Sequence, residues 1–174
     1  MAALDLLLHP VRMRIIQAML DGSEHTAGDL RAELPDIPSA SLYRHIATLA
    51  DAGVLEVVHE RPVRGALERT FRLHLPAAVV SPESARGLTR EDHRRAFAAF
   101  AGMLMADFDR YLAVPEADIV DDGVAFTQAA LWLSDDEMRA LRDELAAAIT
   151  ARMDHRRGAG RRKRLISTVT MPAH

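Results

Sequence analysis

The sequence predicts an α+β protein: three short helices and a β-hairpin in the N-terminal part, then a helical C-terminal region with a βαβ unit. Three observations predict it. Apolar residues recur every three or four positions from Val11 to Leu49, the period changes to alternation between Leu55 and Leu75, and helical spacing returns beyond residue 88.

The first helix follows His9, with Pro10 suited to a first turn, Val11, Ile15, Ile16, Met19 and Leu20 on its apolar face, and Gly22 as its stop. Thr26 stands three residues before Asp29, a capping box with Asp in place of Glu, and opens a second helix through Ala27, Leu30 and Leu34 that Pro35 ends. After the turn Pro35-Asp36-Ile37-Pro38, Ser39 is the expected N-cap of a third helix. Its apolar positions are Leu42, Ile46 and Leu49, and Gly53 closes it. Leu55, Val57, Leu67, Phe71, Leu73 and Leu75 then alternate, and Arg61 to Gly65 is read as the break between two strands. Residues 76–88, with two prolines, read as a linker between a unit at 1–75 and a second at 89–174.

Thr89 caps a longer helix whose Phe97, Phe100, Leu104, Phe108 and Tyr111 form an aromatic stripe that calls for a partner surface. Asp121-Asp122-Gly123 marks a turn, and 124–133 is read as a strand. Ser134 with Glu137 caps a helix carrying Met138, Leu141, Leu145 and Ile149. Residues 165–171 alternate with β-branched residues, so strand, helix and strand compose the expected βαβ unit.

Composition narrows the function classes. The chain has 174 residues, 49% hydrophobic and 27% charged, enough to bury a core. It has no cysteine, which removes disulfides, thiolate metal sites and cysteine nucleophiles together. The eight histidines lack metal-site spacing, and there is neither a phosphate-cradling glycine loop nor a nucleophile elbow. The expectation is a protein that is not an enzyme, with no cofactor and no metal, and without a signal peptide or bilayer span: a cytoplasmic protein. The net charge of -3 means that contact with a polyanion must come from local clusters.

The segment from Ser39 to Leu55, Ser-Ala-Ser-Leu-Tyr-Arg-His-Ile-Ala-Thr-Leu-Ala-Asp-Ala-Gly-Val-Leu, resembles the recognition helix of ArsR-type and PadR-type winged helix-turn-helix bacterial regulators. His9-Pro-Val-Arg-Met-Arg-Ile-Ile is similar to that family's first helix. The resemblance covers residues 9–75. It implies a DNA-binding domain at 1–75 with a hairpin wing and a dimerisation or effector region at 89–174. It also implies a transcriptional regulator, by family default a repressor, that binds a pseudo-palindromic operator as a homodimer. A metal sensor of the thiolate kind is excluded by the lack of cysteine, a departure from the family's metal-responsive branch; a His/Asp site stays open, with no residue pattern pointing to one.

The residues support that reading independently. With Leu42, Ile46 and Leu49 inward, a turn of about 100° per residue puts Arg44 opposite them, flanked by Ser41, Thr48 and small residues, with Tyr43 at the edge. Arg is the commonest reader of guanine, Ser and Thr serve bases or phosphates, and no carboxylate stands between Ser39 and Leu49 to repel phosphate. His45 falls beside the core face and is read as a packing or hydrogen-bonding residue. The expected DNA-contacting set is Ser39, Ser41, Tyr43, Arg44 and Thr48 on the helix, and Arg61, Arg64 and Arg69 on the wing. Arg12 and Arg14 are further phosphate candidates. The basic run Arg156-Arg157 and Arg161 to Arg164 is either a solvated turn or an added DNA contact. Phe97, Phe100, Leu104, Phe108, Leu141 and Leu145 offer the dimer surface, and a pocket under Phe100, Phe108 and Trp132 would suit an apolar small-molecule effector. A module that binds proteins without reading DNA is the alternative.

Overall fold

The computed structural model describes residues 3–63, 66–79, 82–153, 155 and 158–173. Its elements are α1 (Ala3–Leu7), α2 (Pro10–Ala18), β1 (His25–Thr26), α3 (Ala27–Glu33), α4 (Ser39–Asp51), β2 (Leu55–Val63), β3 (Ala66–Leu73), a 3-10 turn (Leu75–Ala78), α5 (Pro82–Arg86), α6 (Arg90–Leu112) and α7 (Asp135–Met153).

Local chemistry sets the ends of the first helices. Pro10 begins α2 as expected, and the His9 side chain caps it by accepting the Val11 N–H at 3.2 Å. The Thr26–Asp29 capping box forms in both directions: the Asp29 N–H donates to Thr26 Oγ1 at 3.1 Å and the Thr26 N–H to the Asp29 carboxylate at 2.8 Å. Ser39 does not cap α4. It is the first helical residue, because Pro38 occupies the cap position and makes no side-chain cap bond. Beyond α4, Gly53 takes φ +72°, and the Gly53 and Val54 N–H groups return to Ala50 and Leu49 carbonyls at 2.9 Å. That left-handed turn aims the chain directly into β2.

The three strands form one antiparallel sheet in the order β1-β3-β2. β1 pairs His25 with Phe71 and Thr26 with Thr70, a two-residue strand too short to show any period in the sequence. In the hairpin Leu55 faces Leu73 and Val57 faces Phe71; the register then slips, so that His59 faces Thr70 and Val63 faces Ala66. This bulge reverses the phase of β2 past Val57, leaving Glu60 and Pro62 on the face that Val57 started. The strands run on to Val63 and resume at Ala66, so the expected break at Arg61 to Gly65 shrinks, and Arg61 lies within β2.

A single core holds these pieces. Ile15, Met19, Leu30, Leu42, Leu49, Val54 and Leu55 are almost wholly buried, joined by Leu34, Ile37, Ile46, Phe71 and Leu73. Leu67 and Leu75, expected inside by alternation, are exposed: Leu67 lies toward the free end of the hairpin, and Leu75 is outside it, opening the 3-10 turn beyond β3. α1 was not legible in the sequence; its Leu4 is buried.

The compact units divide between Ala117 and Asp118, not within 76–88. α6 belongs to the first unit: Gln17 on α2 hydrogen-bonds Asp107 on α6, and Arg110 pairs with the same carboxylate. The expected linker contains the 3-10 turn and α5. The Thr89 cap is present, with its partner Asp92. On α6, Phe100, Leu104, Phe108 and Tyr111 are half-buried and Phe97 is 51% exposed; no residue of the helix is fully buried.

The second unit, residues 118–174, contains α7 with the expected Ser134–Glu137 box at its start. The expected βαβ unit is absent. Residues 124–133 and 161–173 have no regular secondary structure, and α7 carries no buried residue; Leu141 is half-buried and Leu145 exposed. Trp132, expected to roof a pocket, is fully exposed.

Candidate nucleic-acid interface

α4 is positioned by the burial of Leu42, Ile46 and Leu49, which leaves the opposite side of the helix outward. Tyr43 is 48% exposed and Arg44 and Ala47 are exposed, while Ser39, Ser41 and Thr48 are half-buried. Ser41, Arg44 and Thr48 form one row at i, i+3 and i+7. Arg44 donates to Ser41 Oγ at 3.4 Å, and Thr48 Oγ1 donates back to the Arg44 carbonyl at 2.9 Å. The only side chain bonded to the Arg44 guanidinium among the described residues is thus a neutral hydroxyl. A phosphate or base edge competes with a weak, long hydrogen bond and not with a carboxylate.

Beneath the first turns of α4 lies a packed pair of imidazoles beside Arg12 and Arg44. The His9 and His45 rings stack with centroids 4.3 Å apart and planes tilted by 41°. Burial holds both imidazoles below their ordinary value of 6.5, and the neighbouring Arg12 and Arg44 charges push the same way. His45 is 8% exposed and its Nδ1 has no hydrogen-bond partner, consistent with the packing role expected of it. His9 as its partner was not foreseen; the signal was its place before Pro10, where a cap residue points back along the helix.

Arg12 and Arg14, expected as phosphate contacts, are structural. Arg12 is 6% exposed and donates to the Asp5 carbonyl at 2.7 Å, tying α1 to α2. Arg14 forms a bidentate pair with Asp36 at 2.5 and 2.8 Å, tying α2 to the turn before α4. That pair holds Asp36 below the usual carboxylate range.

The hairpin carries its arginines in opposed pairs. Arg61 donates to Glu68 at 2.7 Å, Arg69 to Glu60 at 2.9 Å and Arg72 to Glu56 at 3.4 Å, each with the residue directly across the ladder. The Arg61 and Arg69 side chains remain 72% and 56% exposed, so both can reach outward. Their charges are locally balanced: residues 55–73 hold four arginines against three glutamates. Arg64 lies outside the described residues, as do Arg156 and Arg157 of the basic run. Of the rest of that run, Arg162 and Arg164 are engaged with Asp122, through its carboxylate and its carbonyl respectively.

Among the described residues no group of three or more His, Asp or Glu gathers as a metal site, and no helix is long and apolar enough to cross a membrane. Shallow depressions lie beside Leu6, Thr48, Asp51 and Ala52, and along Val57 to Glu60.

Residues 7–58 match the family model for a helix-turn-helix domain. The match begins one residue before the structural turn into α2 and ends within β2, so it takes in α2, α3 and α4 together with the core they share. No curated protein matches the chain.

Proposed function

We propose that this chain is a cytoplasmic, sequence-specific DNA-binding transcriptional regulator of ArsR- or PadR-like type, acting as a repressor on a pseudo-palindromic operator bound by a homodimer. One observation carries the reading. In a chain with a net charge of -3, α4 presents a slim outer row of Ser41, Arg44 and Thr48 that is free of carboxylates, on a helix fixed from behind by a helix-turn-helix core. A helix with that face fits a major groove, Arg44 reading a base edge, Tyr43 and Ser39 flanking it, and the hairpin reaching the backbone as a wing with Arg61, Arg64 and Arg69.

The dimer reading draws support from helical faces left without a complete cover: Phe97, Phe100, Leu104 and Phe108 on α6, and Leu141 and Leu145 on α7. A two-fold protein reads two half-sites about one helical turn apart.

Selection of double-stranded DNA from a random pool tests the reading. An enriched, two-fold symmetric sequence is expected, bound more weakly and less selectively by Arg44→Ala. Failure of the wild type to enrich any sequence would instead favour a module that contacts proteins. The observation on that side is the hairpin, whose described arginines are each balanced by a glutamate across the ladder.

A further inference from the structure

We infer that residues 124–133 and 165–171 are strands that form only between two copies of this chain, so that the second unit is completed by exchange with its counterpart. The inference rests on the homodimer reading and adds where and how the two copies join.

Three properties of these segments lead to it. First, both have strand sequences: Phe126, Ala130 and Trp132 alternate with Thr127, Leu131 and Leu133, and Leu165, Ser167, Val169 and Met171 alternate with Ile166, Thr168 and Thr170. Second, their ladder groups are open beyond Phe126 in the one and from Leu165 in the other. Among the described residues, no backbone-to-backbone hydrogen bond involves residues 127–133 or 165–173. A run of unmet N–H and C=O groups flanked by alternating apolar side chains is a template for pairing with another strand. Third, their side chains are uncovered: Leu131 is 64% exposed, Trp132 103%, Ile166 69% and Met171 67%.

The unit has no interior that could receive these side chains: none of its described residues is buried. With Leu165, these five residues expose on the order of 700 Å², close to one partner's share of a standard stable interface.

The geometry also prepares the pairing. Arg162 bonds the Asp122 carboxylate and Arg164 donates to the Asp122 carbonyl at 2.5 Å. The two segments therefore start beside one another, one leaving from Gly123 and the other from Arg164. A second copy is the matching occupant because a two-fold interface opposes each surface to itself. Its two segments offer the same ladder spacing and the same alternation.

Trp132 is the one tryptophan in the chain, so its fluorescence reports this site alone. The full-length protein is followed by sedimentation and by tryptophan emission as it is diluted from micromolar to nanomolar concentration, beside a Val169→Pro variant. Val169 is 50% exposed, so the variant leaves the core of the first unit intact while removing a ladder donor. The expected result is a dimer with blue-shifted emission, shifting to red as the mass halves, and dimerisation weakened at least about tenfold in Val169→Pro. A dimer with water-exposed tryptophan, or one that Val169→Pro leaves intact with its tryptophan still buried, overturns the strand exchange while leaving the homodimer reading standing. A monomer at all concentrations overturns both, whether its tryptophan is buried against its own chain or exposed.

Discussion

Arg44 and His45 are adjacent in sequence and opposite in fate, and the angle between them on α4 decides it. Arg44 is held by the Ser41 hydroxyl on the outward row; His45 is packed on His9 over Arg12. Replacing Arg44 with Ala is expected to cost about 1–3 kcal/mol in binding to the selected site and to relax preference at one base position, measured by anisotropy titration against single-base variants of that site. A uniform loss across all sequences would make Arg44 a phosphate contact. His45 bears on stability. Both imidazoles sit below 6.5 in the fold, so the unfolded chain takes up protons first as pH falls through that value. The contribution of the neutral pair is complete above pH 6.5 and is lost as the pH falls below it. A lower melting temperature at about pH 5 than at about pH 7.5 is expected, with a flatter dependence in His45→Phe, which keeps a ring and removes the proton site. An equally steep profile in that variant would place the titration elsewhere.

At the level of elements, the signals that survived from sequence to structure were those written in neighbouring residues. The Thr26–Asp29 and Ser134–Glu137 boxes and the Thr89 cap, which the structure completes with Asp92, each begin a helix, because a hydroxyl and a carboxylate three residues apart satisfy orphan N–H groups wherever the chain then goes. Thr26→Ala should therefore destabilise the first unit by about 0.5–2 kcal/mol in a denaturant melt. What neighbouring residues could not reveal was set by distant ones. Arg12 and Arg14 looked like surface cations until Asp5 and Asp36 were brought to them, and the bulge past Val57 changed which hairpin residues share a face. The Arg61–Glu68 and Arg69–Glu60 pairs are also products of register. If the hairpin acts as a wing, those glutamates restrain it. Glu68→Gln should then tighten DNA binding and steepen its dependence on salt by about one phosphate contact, whereas Arg61→Gln should weaken binding uniformly. Unchanged affinity and slope in Glu68→Gln would mean the hairpin does not approach the backbone.

Across the whole molecule, every buried residue described lies between Leu4 and Leu73, while α6 adds a half-buried cover held by the Gln17–Asp107 bond and the second unit adds no core of its own. The sequence reads as a strand at 124–133 and, by alternation, at 165–171, but among the described residues neither segment has a strand neighbour, and a local pattern cannot say where a neighbour comes from. This division of labour has a measurable consequence. A chain ended after Ala117 keeps the complete core, so it should unfold in one cooperative thermal transition near that of the full protein. It should also keep the base preference of α4, because Ser41, Arg44 and Thr48 are fixed from within that unit. If the second unit joins two copies, the truncated chain binds each half-site independently. Affinity for the full operator should then fall by about a hundredfold or more, and the salt slope should drop towards half, because the second half-site loses its high effective concentration and its phosphate contacts. Anisotropy titrations against one and two half-sites, at several salt concentrations, read both quantities. Operator affinity undiminished by the truncation would assign dimerisation to α6, and a truncated chain that fails to melt cooperatively would show that the second unit stabilises the first.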